Sequence, residues 1–128
     1  MARRRSAATR ASFMTADCLF CKMVSGSIKP NTVYEDNDVL AFNDINPQAP
    51  VHVLVIPKKH VATLNDLDAG HTELTGKLVK AAAHIARETG IAESGYRLVM
   101  NCNADAGQSV FHIHLHLLGG RHMRWPPG

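Results

Sequence analysis

At 128 residues the chain suits one domain with a modest core. It contains no apolar run long enough to cross a membrane, and three cysteines, Cys18, Cys21 and Cys102, do not make the paired framework of a small secreted protein. The formal charge is +3, but Arg3, Arg4, Arg5 and Arg10 lie in an acid-free stretch over 1–13, so the remainder sums to −1 and the basic balance does not argue for a nucleic-acid-binding domain.

The elements follow in order. Residues 1–15 are rich in Arg, Ser and Ala, the composition of a disordered tail or of a mitochondrial targeting segment, without the apolar core of a secretory signal. A cytoplasmic location is expected, with a mitochondrial one as the alternative. A single domain is expected over 16–128. Asp17 is a suitable N-cap for a helix over 18–24 that ends at Ser25-Gly26 and puts Phe20 and Met23 on one face. Strands are expected over 32–35 and 39–44, around a turn at 36–38. A proline-flanked loop over 46–50 leads into a mostly apolar, central-type strand over 51–57. A long helix is expected over 68–89, where Leu74, Leu78, Ala81, Ala82 and Ile85 recur at spacings of three and four and Gly90 is placed to end it. Strands over 96–102 and 111–118 close the chain as a hairpin with a long loop. Neighbouring strands with one major helix between them make an α+β pattern.

The last strand carries the chemistry. His112, His114 and His116 alternate with Ile113, Leu115 and Leu117, so a strand would bury one set and present the other. Imidazole is nucleophilic and carries protons near neutral pH. The outer two histidines would stand roughly 13 Å apart along a strand, whereas zinc–nitrogen bonds are about 2 Å. The row therefore suits an extended anion such as a substituted phosphate. His114, with a partner on each side, is the best-placed nucleophile. The turn-rich stretch 103–109 supplies Gly107, whose backbone can approach a ligand closely, and the Ser109 hydroxyl. Asn101 would offer an amide from across the hairpin. Cys18-Leu19-Phe20-Cys21 has the spacing of half a zinc site, or is two free thiols. His60, His71, His84 and His122 read as surface residues, His60 standing near a strand end.

The run Gly107-Gln108-Ser109-Val110-Phe111-His112-Ile113-His114-Leu115-His116-Leu117-Leu118 resembles the histidine triad (HIT) signature. Gln48-Ala49-Pro50-Val51-His52-Val53-Leu54-Val55-Ile56-Pro57-Lys58-Lys59-His60 and the ending Gly119-Gly120-Arg121-His122-Met123-Arg124-Trp125-Pro126-Pro127-Gly128 resemble its Hint branch, the purine nucleoside phosphoramidases. The resemblance implies a five-stranded antiparallel sheet with two helices, extended across the two-fold axis of a homodimer. It implies hydrolysis of a purine nucleotide phosphoramidate through a nucleotidyl-histidine on His114, with no cofactor required for catalysis. Ser109, Asn101, His116 and the backbone at Gly107 would hold phosphoryl oxygens, His112 would orient the site, and His52 would support the triad as a fourth histidine. Asp44 falls at the ribose-binding acid. Phe20, Met23, Ile28 and Ile45 fall at the apolar base pocket, with core packing as the rival reading. Trp125 lies in a tail that influences leaving-group choice. Some HIT proteins bind zinc through such a cysteine pair and two histidines, which map onto Cys18, Cys21, His52 and His112. The rival functions are a dinucleoside polyphosphate hydrolase of another branch and a non-enzymatic nucleotide-binding scaffold.

Overall fold

The structure, a computed structural model, describes residues 17–128, so the basic arm expected over 1–15 and the domain start at residue 16 lie outside the described residues. The order is α1 (Leu19–Ser25), β1 (Thr32–Glu35), β2 (Val39–Asn43), β3 (Val51–Pro57), α2 (Thr72–Glu88), β4 (Tyr96–Val99) and β5 (Leu115–Gly119), with short 3₁₀ turns at Leu64–Asp66, Ala69–His71 and Ala104–Ala106. The strands form one antiparallel sheet in the order β1-β2-β3-β5-β4. The α+β class, five strands and two helices expected above are present.

The period-2 alternation explains the two layers. Val39, Ala41, Val53, Val55, Leu115 and Leu117 face α2, which answers with Leu78, Ala81, Ala82, Ile85 and Ala86. The alternate residues Leu40, Phe42, Leu54 and Ile56 face Phe20 and Cys18 at α1. β2 and β3 are buried on both faces, which is why their sequences read as continuous apolar runs. Truncating Leu78, fully buried at the centre of the α2 layer, to alanine would cost about 2–5 kcal/mol. The face under α1 is only partly covered, and His52 and His116 stand on it beside Leu54.

Several boundaries differ from expectation, each for a local reason. Cys18, not Asp17, caps α1: its Sγ accepts the Cys21 N–H at 3.4 Å. Asp68 caps the turn before α2 through the Gly70 N–H, so the helix starts at Thr72. β4 stops at Val99. The strand expected over 111–118 begins only at Leu115, because its ladder with β3 ends at the Val55–Leu115 pair. Beyond that pair Pro57 has no N–H to donate, and its carbonyl accepts from the His112 ring at 2.8 Å. The Ile113 N–H turns instead to the Val61 carbonyl at 2.8 Å.

Candidate functional site

A pocket of about 510 Å³ opens on the α1 face of the sheet. Phe20, Met23, Ile28, Ile45, Asp44, Ser109, His114 and His116 all reach its wall. Of the expected catalytic and nucleotide-binding residues, His52, Asn101, Gly107, His112 and Trp125 do not line it. Asn101 is half-buried beyond β4, Gly107 is exposed, and the Trp125 ring, 81% exposed, lies over the Arg97 guanidinium at 5.8 Å. The residue pattern could not show that Leu19, Lys29, Pro30, Asn31, Phe42, Asn43, Leu54 and Val110 complete the wall.

His114 is buried, and its Nδ1–H donates to the His112 carbonyl at 2.8 Å. A neutral ring bonded in this way keeps Nε2 bare. Burial also holds its pKa below the ordinary histidine range, against the opposing pull of that hydrogen bond and of Asp44. The Phe20 ring stands edge-on to His114, centroids 5.1 Å apart, and edge-on to Phe42 at 5.5 Å. His116 lies beside His114 at 5.0 Å between ring centroids. Burial, with His114 and His52 alongside, pushes its pKa down to about 4.

His52 is on β3, diagonal to His116 in the register that pairs Leu54 with His116. Its Nε2 stands 2.9 Å from His116 Nδ1 and 3.4 Å from Asp44 Oδ2. Its Nδ1 accepts the Gln48 N–H at 3.0 Å. Asp44 just follows β2, tied to β3 by its N–H to the His52 carbonyl. These contacts join His52 to His116 and Asp44 at the pocket wall.

They also correct the expected metal ligands. His52 is engaged by Gln48, His116 and Asp44, while His60, expected at the surface, joins Cys18, Cys21 and His112. The four donor atoms lie within 4.8 Å of one another. The His112 Nε2–H donates to the Pro57 carbonyl, which leaves Nδ1 bare. That nitrogen is 3.4 Å from Cys18 Sγ, 3.6 Å from Cys21 Sγ and 3.2 Å from His60 Nδ1, and Cys21 Sγ is 3.2 Å from His60 Nδ1. Tetrahedral zinc with its usual bond lengths sets its ligand atoms about 3.3–3.8 Å apart. The donor set, spacing and tautomer thus fit a four-coordinate ion. Burial, with Cys18 next, pushes the Cys21 thiol up to about 12. Among the described residues His60 Nε2 is buried without a partner. Nothing in the spacing distinguishes His60 from the other histidines. It is recruited because the chain turns after Pro57 and brings it back over α1.

The chain matches the HIT domain over residues 25–123. The purine nucleoside phosphoramidase of Escherichia coli K12 is 49% identical over 108 residues, covering 84% of this chain and 91% of that protein. An uncharacterized HIT-like protein of Synechococcus elongatus is 48% identical over 90% of this chain and its own full length. A HIT family hydrolase from Legionella pneumophila superposes with a TM-score of 0.85 at 55% identity, covering 87% of this chain and 99% of the other. A histidine triad protein from Clostridium difficile gives 0.82 at 44% identity, covering 84% and 94%.

Proposed function

The chain is an enzyme that belongs to the histidine triad family, and from its pocket we propose that it hydrolyses the P–N bond of purine nucleoside 5′-phosphoramidates. The observation that carries this reading is the state of His114: a neutral, buried imidazole with Nδ1–H tied to the His112 carbonyl and Nε2 bare beside the pocket. That is what nucleophilic catalysis asks of a histidine. The name of the Escherichia coli relative supports the substrate class.

In this reading the purine lies between Phe20, Met23, Ile28 and Ile45, and the Asp44 carboxylate accepts from the ribose hydroxyls. Nε2 of His114 attacks the α-phosphorus, a P–N bond forms to the ring, and the bond to the amine breaks. The electron pair leaves with the amine, which takes a proton by way of Ser109 or His116. Water then attacks the nucleotidyl-histidine, releasing the nucleoside monophosphate and restoring the ring. Ser109, Asn101, His116 and the backbone at Gly107 oppose the charge that builds on the phosphoryl oxygens. Asn101 and Gly107 would have to close on the bound phosphate.

Cys18, Cys21, His60 and His112 would hold a zinc ion. With four protein ligands and no open position, its part would be structural: it would tie α1 to the segment that carries His112. A second copy of the chain would add to the open edge of β4 and continue the sheet, and light scattering that gives the mass of one chain would exclude this.

The test is turnover of adenosine 5′-phosphoramidate by the purified protein beside His114→Ala and His114→Asn. Turnover by the parent and its loss in both variants is the expected result. Equal rates in all three would remove His114 as nucleophile, and faster cleavage of a diadenosine polyphosphate would assign the pocket to the rival substrate class.

A further inference from the structure

His116 carries a hydrogen-bond chain that reaches the protein surface. The backbone N–H of Gln48 can only donate, so His52 Nδ1, 3.0 Å away, must present its lone pair. A neutral His52 then carries its proton on Nε2. Burial favours that neutral form, holding its pKa below the ordinary value despite Asp44. The Nε2–H points at His116 Nδ1, 2.9 Å away, with Asp44 Oδ2 a more distant second acceptor at 3.4 Å. His116 Nδ1 therefore accepts, and a neutral His116 carries its proton on Nε2, the nitrogen left for the pocket.

The donor at the start of this chain is itself fixed. Gln48 sits in an exposed loop between Pro47 and Pro50. Its carbonyl accepts Nε–H of Arg121 at 3.0 Å, and its side-chain amide donates to the Asn46 carbonyl at 3.1 Å. Arg121 follows β5, the strand that carries His116, and its Nη1 donates to the His122 carbonyl at 3.1 Å.

We propose that the Arg121–Gln48–His52 chain locks His116 as its Nε2–H tautomer, so that His116 meets the substrate only as a hydrogen-bond donor to a phosphoryl oxygen. Full proton transfer from that nitrogen would leave an imidazolate, because neither His52 nor Gln48 can pass on a compensating proton. The proton for the departing amine therefore comes from solvent water, relayed by the exposed Ser109 hydroxyl, which takes a proton from water as it gives its own to the amine. Arg121 and His52 are positioning residues that act through His116. The substrate part of this inference rests on the phosphoramidase reading; the tautomer does not.

Protein labelled with ¹⁵N-histidine, in its full-length form and without substrate, reports each ring tautomer in long-range proton–nitrogen spectra. The expected wild-type result for His116 is a pyridine-type Nδ1 and a proton on Nε2. In His52→Leu the Nδ1 resonance should move toward the averaged position of mixed tautomers, with a fall in kcat at little change in KM. Arg121→Ala should move it the same way by less, and His52→Gln, whose amide can donate from the same place, should stay near wild type. A wild-type His116 protonated on Nδ1 would overturn the lock, even if His52→Leu does not fold. So would an Nδ1 resonance that does not respond to His52→Leu or Arg121→Ala. A clean Nε2–H tautomer in a protein that does not cleave phosphoramidates would count against the reaction and leave the lock standing.

Discussion

Gly119 ends β5 opposite Val51 of β3 and Tyr96 of β4, three residues beyond His116. A Cβ built there would overlap Cδ1 of Ile91 and stand 3.2 Å from its Cβ and 3.3 Å from its Cγ1. Carbon pairs sit best at about 3.5–4.0 Å. The Cβ and Cγ1 contacts need only a few tenths of an ångström, but the Cδ1 methyl lies far inside contact distance and, packed in the core beside α2, has no free space to swing into, so the side chain and the strand must both shift. Overpacking of this kind costs about 1–3 kcal/mol. For a domain of this length that is a fall in Tm of about 4–12 °C in Gly119→Ala. Ile91→Val removes Cδ1 and alone should cost about 0.5–1.5 kcal/mol. In the Gly119→Ala background the missing methyl leaves room for the new one, so the double variant should be more stable than the sum of the two losses, by roughly 1 kcal/mol. Urea and thermal unfolding of the four proteins measure this. Strictly additive losses would refute the reasoning and place the strain in the strand's pairing rather than against Ile91. Because β5 carries His116, kcat should fall in Gly119→Ala and fall no further in the double variant.

Burial holds His116 near a pKa of about 4 and depresses His114, so the neutral rings persist as pH falls from 7. The acid limb of kcat/KM should therefore lie below the ordinary histidine value of 6.5, and a midpoint at or above 6.5 would contradict the burial argument. Elemental analysis should find one zinc per chain in protein purified without added metal; Cys21→Ser should lose it and melt at a lower temperature, and a metal-free parent would remove the zinc reading. Asp44→Asn should raise KM roughly tenfold with kcat little changed, since hydrogen bonds to a charged acceptor contribute about 1.5–3 kcal/mol; an unchanged KM would take Asp44 off the ribose.

The layers were legible because they rest on local alternation. The period-2 runs at 39–43 and 51–57 and the three-and-four spacing from Leu78 to Ile85 each name the face they bury. The strand boundary at Leu115 was not legible, because it depends on Pro57 having no donor for Ile113, a partner 56 residues away. The exchange of His60 for His52 has the same origin. His52 lies inside β3, where register turns it toward His116; His60 lies past the proline, where the chain has left the sheet. Both are histidines in one short segment, and only the tertiary path tells them apart. The apolar walls of the pocket were legible from the family pattern, whereas Asn101 and Trp125, read from the same pattern, stand away from it.

The geometry also changes what the alternation of three histidines means. A row on one strand face would give the three rings equivalent surroundings, and these are not equivalent. His112 turns its bare nitrogen to two thiols and His60, away from the pocket, while its carbonyl holds the Nδ1–H of His114. His116 is held from the opposite side by His52 on β3. A span too long for one ion thus accommodates two separate supports, one at each end, with His114, the proposed nucleophile, between them. The backbone of the first histidine sets the tautomer of the second, and this requires the segment to leave the ladder at His112, since a carbonyl engaged in sheet pairing would be less free to accept from a side chain two residues on. The interruption of β5 that looks like a defect in the strand is what leaves His114 with Nδ1–H held and Nε2 bare, the state the proposed attack needs.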